Sequence, residues 1–349
     1  MFFTNAAHRS ATKLQSSQCR WLLQGIIVLS CTASIPLSVS TLAGWQTAAT
    51  KSRITTASGV RLRSAPQTTA EEVVRLPLGT AVQVLEQSTG KEKTGQSDDY
   101  WYRVTTAEGK SGWLFGSLSA TFDPARREEI YLRLAAERLK VEQTNLAEQS
   151  DLVNFLTRAA TEASTPAVTA ELELSRLLAL GRSFLSIATT NPEQPAKHPW
   201  VKAHEKEIIY SEPGGLWLVR SELFWDLQKK YRALPIADRI TWAGAQNGLP
   251  GECEGDLSCG FEYTLLTTGK YLELYPQGAH AAEAVNGIDE QFGFVLEDAR
   301  QQKISFIAKE DRPKFPGKIA RFRALLLKTS TPKKAAALKK LDQIAQMFR

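Results

Sequence analysis

The chain changes period once, near residue 123. Between 54 and 122 apolar and polar residues alternate in short runs: Ile54-Thr55-Thr56, Val60-Arg61-Leu62-Arg63, Val82-Gln83-Val84-Leu85, Tyr102-Arg103-Val104 and Trp113-Leu114-Phe115. Period-two alternation predicts strands with one buried face. Gly79, the polar stretch 90–99 and Glu108-Gly109-Lys110 separate the runs and read as turns. Several short strands within about seventy residues, with no helical stretch among them, predict a small closed barrel. From Asp123-Pro124 onward the period is that of helices. Asp123 is an N-cap with proline behind it, and the first helix is expected to run toward Leu156. Thr165-Pro166 is a second start, followed by Leu174, Leu177, Leu178, Phe184 and Leu185 at helical spacing. The Pro-Gly-Gly turn inside EIIYSEPGGLWLV predicts a hairpin, with a helix from Leu216 as the alternative. Helical periodicity returns over 221–232, 235–246, 261–275 and 279–295, and Pro332 opens a final helix.

Four segments of the first region resemble the bacterial SH3-like domain in order and spacing: VRLRSAP (60–66), LPLGTAVQVLE (76–86), YWYRV (100–104) and GKSGWLFGSL (109–118). The resemblance covers about a fifth of the chain and implies a five- or six-stranded barrel of the kind found in secreted and envelope proteins. It also implies a module that binds peptidoglycan or a protein partner. This chain departs from the pattern in a long polar insertion at 88–99, which lengthens a loop that often borders the ligand groove. Tyr100, Trp101 and Tyr102 are the candidate ligand contacts, because aromatic faces stack on peptides and sugars. Tyr100 and Tyr102 are expected to be the exposed pair, with Trp113 and Val104 in the core. GKYLELYPQGAHAAEAVNGIDEQF (269–292) resembles, over one segment, the helix boundary of tetratricopeptide-like proteins. The whole therefore reads as a multidomain β + α chain: an SH3-like β-barrel at 54–122, then an all-α, optionally helical-repeat, domain at 123–300 and a basic helical segment at 301–349.

Composition narrows the class. With 349 residues, 43% hydrophobic and 23% charged, the chain is not disordered, collagen-like or a multi-span membrane protein. The formal charge of +6 is concentrated at the two ends. Residues 1–30 carry Arg9, Lys13 and Arg20 and no acid, residues 301–349 carry thirteen Lys/Arg against Glu310, Asp311 and Asp342, and the middle is net −7. The N-terminal excess precedes WLLQGIIVLSCTASIPLSVSTLA, the order of an export signal over 1–43 with Thr41 and Ala43 before a cut at Gly44. A lipidated Cys31 and an uncleaved anchor over 21–43 are the other two forms. All three place the rest of the protein outside the cytoplasm, periplasmic or envelope-associated.

Cys253 and Cys259 are then expected to form a disulfide in their Gly-rich loop, since no nearby Cys or His completes a metal site. The last helix sets Leu338, Leu341, Ala345 and Phe348 against Lys333, Lys334, Lys339 and Lys340. It is expected to dock on its neighbours, with binding to an anionic surface as the alternative. Nothing points to nucleic acid, a cofactor or a metal. Of the histidines, His198 and His204 do not share a helix face with each other, and with His280 they form no His-Glu-x-x-His motif. No nucleophile elbow or phosphate loop is present. The expected function is non-catalytic binding in the cell envelope. The alternative is a peptidoglycan hydrolase drawing on Glu205, Glu207, Asp226, Glu254 or Asp256. Trp200, Tyr210, Trp217, Trp225 and Trp242 are expected in helix packing, with a carbohydrate or peptide groove as the second option.

Overall fold

A computed structural model describes residues 51–141, 145–187, 197–301 and 306–348. The expected export signal, with Cys19 and Cys31, lies outside the described residues. Among those residues no helix is long and apolar enough to cross a membrane.

Seven strands, β1 (Ser52–Thr55), β2 (Val60–Arg63), β3 (Glu72–Leu76), β4 (Ala81–Thr94), β5 (Ser97–Thr105), β6 (Ser111–Phe115) and β7 (Ser119–Phe122), form one antiparallel sheet in the order β3-β2-β6-β5-β4-β1-β7. The sheet is curled and open, because no ladder joins β3 to β7 among the described residues. Its inner core is Val60, Leu62, Leu76, Val82, Val104 and Leu114. The polar insertion is not a loop. Residues 88–94 continue β4 and pair with β5, Lys91 opposite Tyr100 and Thr94 opposite Ser97, with a Gly95-Gln96 turn whose Gly95 has φ +60°. The ladder shifts register on either side of 86–87, so the arm bends away from the inner core. Its side chains are polar on both faces, which removes the apolar alternation that marks a strand.

The helices are α1 (Arg127–Lys140), α2 (Leu146–Glu162), α3 (Pro166–Leu185), α4 (Pro199–Ala203), α5 (Ser221–Lys230), α6 (Ile236–Gln246), α7 (Leu257–Leu266), α8 (Thr268–Leu274), α9 (Ala281–Arg300), α10 (Phe315–Lys328) and α11 (Lys334–Met347). The strands β8 (Ile208–Ser211) and β9 (Leu216–Val219) pair as the hairpin read from Pro-Gly-Gly, with Gly215 at φ +60°. Two expected helices are each broken in two. The helix from Asp123 stops at Lys140 and restarts under an Asn145 cap, whose side chain accepts from Glu148 N–H at 3.0 Å. The segment 261–275 is interrupted at Thr267. The described helices run from 5 to 20 residues without the even pairing of a repeat array.

Two cores hold this body. The first joins Ile54, Leu78 and Phe122 of the sheet region to Tyr131, Leu134, Phe155, Leu156, Leu172 and Leu180 of α1–α3 and on to Phe224 and Ile240. The second runs from Ala245 through Phe261, Tyr271, Ile288 and Phe292 to Phe322, Leu326, Leu341 and Ile344. α10 and α11 thus contribute their apolar faces to a core begun by α7–α9. Of the lysines on α11, Lys340 lies 2.8 Å from the buried Asp289, Lys333 lies 3.8 Å from it, and Lys334 caps the carbonyls of Leu327 and Thr329 at the end of α10.

Sheet and helices are joined at the β3–β4 turn. Leu78 N–H donates to Asp151 Oδ2 at 2.8 Å, Arg158 donates to Leu78 carbonyl at 3.1 Å, and Gly79, at φ +74°, lies so close to Phe155 that a β-carbon there would sit 2.2 Å from its ring. Only glycine meets both conditions. Phe122, Tyr131 and Phe155 extend the contact as a run of rings, with centroids 6.5 and 5.3 Å apart.

Candidate functional site

The sheet presents two faces, and its aromatic residues divide between them differently from the expectation. Val104 and Leu114 are fully buried on the inner face, and Tyr102 packs against them with the Arg53 guanidinium 4.1 Å above its ring. Tyr102 is therefore a partly buried residue packed on the sheet's inner core, not an exposed one. Trp101 lies on the opposite face, 3% exposed, paired across the ladder with Phe115 at a ring distance of 5.2 Å. Trp113 shares that face and is only half-buried, opposite Arg103 and Arg63. The run Tyr100-Trp101-Tyr102 is aromatic in both phases of the strand, so alternation alone could not say which phase faces inward. Tyr100 is half-buried on the arm beside Lys91, whose ammonium is 5.6 Å from its ring.

What covers Trp101 is the β4–β5 arm. Glu92 Oε2 accepts the indole N–H at 2.6 Å, and Ser88 Oγ accepts the Trp101 backbone N–H at 3.0 Å. Gly116 lies against the Asp99 carboxylate, where a β-carbon would come within 2.7 Å of it. Beside this cover opens a cavity of about 250 Å3. Trp101, Phe115 and Leu118 supply its apolar wall, Ala57, Ser58 and Gly59 of the β1–β2 turn its rim, and Arg61, Arg63, Thr68 and Thr94 its polar side. Two of these groups are anomalous. Ser58 Oγ and Thr94 Oγ1 are shielded from water and have no hydrogen-bond partner among the described residues, a state that ordinarily costs about 1–3 kcal/mol per group. The lining includes two arginines and no acid. Arg63 donates to Ala70 carbonyl at 2.7 Å, and Arg61 stands 3.3 Å from Glu72. Each guanidinium keeps N–H groups beyond these bonds. Glu72, outside the lining, also faces Arg75, whose hydrogen bond, together with the positive charges of Arg61 and Arg63, holds its carboxyl below the usual range. Of the three residues expected to touch ligand, Trp101 lines the cavity, whereas Tyr100 and Tyr102 do not. Ser58 and Thr94 carried no sequence signal, since one is an ordinary turn residue and the other sits at the tip of an apparent loop.

A larger cleft, about 540 Å3, lies between α2, α3 and α5, floored by Ala160, Leu177, Leu223 and Leu227. It gathers Glu207 and Asp226, two of the carboxylates considered for hydrolysis, while Glu205 is exposed outside it. Glu207 is tied to Arg176 and, at 2.7 Å, to His204 Nδ1. Burial pushes its pKa up, but the hydrogen bonds from His204 and Arg176 and their charges prevail and hold it low. Across the cleft Lys230 bonds both oxygens of Glu173 at 2.9 Å. The other two carboxylates are loop residues: Asp256 caps α7 and accepts from Ala308 N–H, and Glu254 has a positive φ of 45°. The disulfide between Cys253 and Cys259, with Cα atoms 5.4 Å apart, closes that loop. No group of three or more metal-ligating side chains occurs among the described residues.

The other aromatic residues pack. Trp200 bonds Ser183 through its indole N–H and lies 4.2 Å from the His204 ring, Tyr210 and Trp217 face each other across the β8–β9 hairpin, Trp242 stacks on His280, and Trp225 lies under Lys270. Trp200 and Trp217 pack against the first core and Trp225 and Trp242 against the second.

Residues 58–120 match the family described as the bacterial SH3 domain, so the match starts after β1 and ends within β7. An uncharacterized protein of Treponema pallidum (strain Nichols) is 37% identical over 68 residues, which cover 19% of this chain and 15% of that protein. The chain thus aligns with a small part of the length of that curated relative. No solved structure matches the chain.

Proposed function

We propose that the chain is a non-catalytic, exported cell-envelope protein whose SH3 domain binds a cell-wall peptide or a protein partner, with the helical body as its scaffold. The observation that carries this reading is the cavity beside Trp101, with an apolar wall, two arginines and two shielded hydroxyls that have no partner among the described residues. Bacterial SH3 domains generally bind proteins or peptidoglycan motifs, and the signal-like order of residues 1–43 with the Cys253–Cys259 disulfide supports an oxidising, extracytoplasmic setting. The hydrolase alternative draws less support. A glycoside hydrolase needs one carboxyl kept protonated, and Glu207 is held ionised by Arg176 and His204. The contact is assigned to the sheet in preference to the basic terminus, because three of the four lysines at 333, 334, 339 and 340 are engaged with the chain itself.

Incubation of the exported form with purified sacculi, followed by assay of both retention and soluble muropeptides, tests the reading. Retention without release is the expected result. Release that disappears in Glu207→Gln or Asp226→Asn would establish the hydrolase instead, and failure to sediment with sacculi would remove the wall peptide as ligand.

A further inference from the structure

We infer that the cavity beside Trp101 is a carboxylate-binding subsite, taking one or two residues of a peptide through either a chain-terminal or a side-chain carboxylate. The inference rests on the proposed role of this cavity as the binding surface and adds to it the chemistry of the ligand.

Size sets the first limit. At about 250 Å3 the cavity falls below the roughly 300–1,000 Å3 of sites for drug-sized molecules. A sugar chain or a folded partner can at most insert an end. Charge sets the second. Arg61 and Arg63 are alternate residues of β2 and so project to the same face, and the cavity lining offers them no acid. Arg63 is braced by Ala70 carbonyl, which fixes the guanidinium without neutralising it. Glu72 answers Arg61 but is shared with Arg75, so three arginines face one carboxylate around β2 and β3. The guanidinium fork is matched to a planar two-oxygen acceptor.

The hydroxyls supply the independent observation. Ser58 and Thr94 come from elements far apart in sequence, the β1–β2 turn and the tip of the arm, yet both line the same cavity, and their hydroxyl oxygens, now turned out of its open space, have no partner among the described residues. A hydroxyl donor satisfied by neither protein nor solvent is completed by an acceptor arriving in the cavity, after rotation about one side-chain bond. Two such donors beside two arginines specify an acceptor-rich anion. The wall of Trp101 and Phe115 then receives the small apolar part of the residue that carries it. Trp101 is itself immobilised by Glu92, so the wall is formed before ligand arrives.

The test uses the full chain labelled with 15N at tryptophan, reading the Trp101 indole N–H resonance and the dissociation constant by calorimetry. Three probes are titrated: N-acetyl-Ala-Ala with a free terminal carboxylate, its C-terminal amide, and amidated N-acetyl-Ala-Glu-Ala, whose one carboxylate is a side chain. At least one carboxylate probe is expected to bind about tenfold or more tighter than the neutral amide, since each charge-assisted bond lost is of that order. The stronger of the two identifies the source. Thr94→Val and Arg61→Gln are each expected to weaken that binding about fivefold or more. Thr94→Val should do so without lowering thermal stability, because it deletes an unsatisfied hydroxyl. Equal affinity for the amide, or no shift of the Trp101 resonance with any probe, overturns the inference. Sacculus retention unaffected by Thr94→Val, together with no peptide binding, would remove the subsite and leave the envelope role standing. Peptide binding without sacculus retention would do the reverse.

Discussion

Glu207 shows how one residue can be legible in type and illegible in role. The sequence marks it only as an acid in an acidic region, whereas the fold places it between Arg176 and His204, which come from α3 and the turn after α4. Its folded pKa lies below its ordinary 4.5. The ionised carboxylate therefore contributes stability that is present above 4.5 and is lost as pH falls through the folded value. Glu207→Gln is expected to be less stable than the native chain at neutral pH by about 1–2 kcal/mol, with the gap closing as the pH falls below 4.5. Urea midpoints measured from neutral pH to pH 3 decide it; a gap constant over that range would show that the pairing does not depend on Glu207's charge. The same asymmetry governs the candidate site. Trp101 could be singled out as an aromatic strand residue, but Ser58 and Thr94 are significant only because the folded chain leaves both hydroxyls unpartnered beside one cavity.

At the scale of elements, local chemistry was the better guide wherever a cap or a turn carried it. Thr165-Pro166 starts α3, with Thr165 Oγ1 accepting from Val168 N–H at 3.3 Å, and Pro-Gly-Gly turns β8 into β9. The separation of α1, ending at Lys140, from α2, starting at Leu146, and the interruption at Thr267 were not evident, because no proline marks either and only the Asn145 cap hints at the first. The arm was read as a loop because backbone pairing holds it without an apolar face. For α11 the amphipathic pattern indicated docking but not its polar half. Asp289 is only 5% exposed and is answered mainly by Lys340. Removing one partner of a buried charge is costly, so Lys340→Ala should destabilise by about 2–3 kcal/mol, while Lys339→Ala, on the exposed face, should stay within about 0.5 kcal/mol. Chemical denaturation of both variants checks this, and equal effects would make the lysine face a solvated one.

For the molecule as a whole, the boundary at 122–123 is real in period but crossed in packing. The SH3 domain was legible from its strands and motif, yet nothing local to 76–80 indicates that Leu78 and Gly79 meet α2, since the partner lies more than seventy residues away. Ile54, Leu78 and Phe122 belong to the helical core, so the sheet should not unfold before α1–α3 do. Far-ultraviolet circular dichroism and the near-ultraviolet aromatic signal are expected to lose this half in one coincident transition. Gly79→Ala, which forces both a strained φ and a clash with Phe155, is expected to shift that transition down by about 3 kcal/mol without splitting it. An early, separate loss of the sheet would contradict the shared core. The junction at Gly79 also has a hydrodynamic meaning. A binding module on a flexible tether samples directions freely, and its cargo forgets which way the ligand faced. Here the sheet is locked to α2 through Leu78 and Gly79, so a ligand bound beside Trp101, as proposed, would fix the heading of the helices packed on the sheet, and occupancy would become orientation.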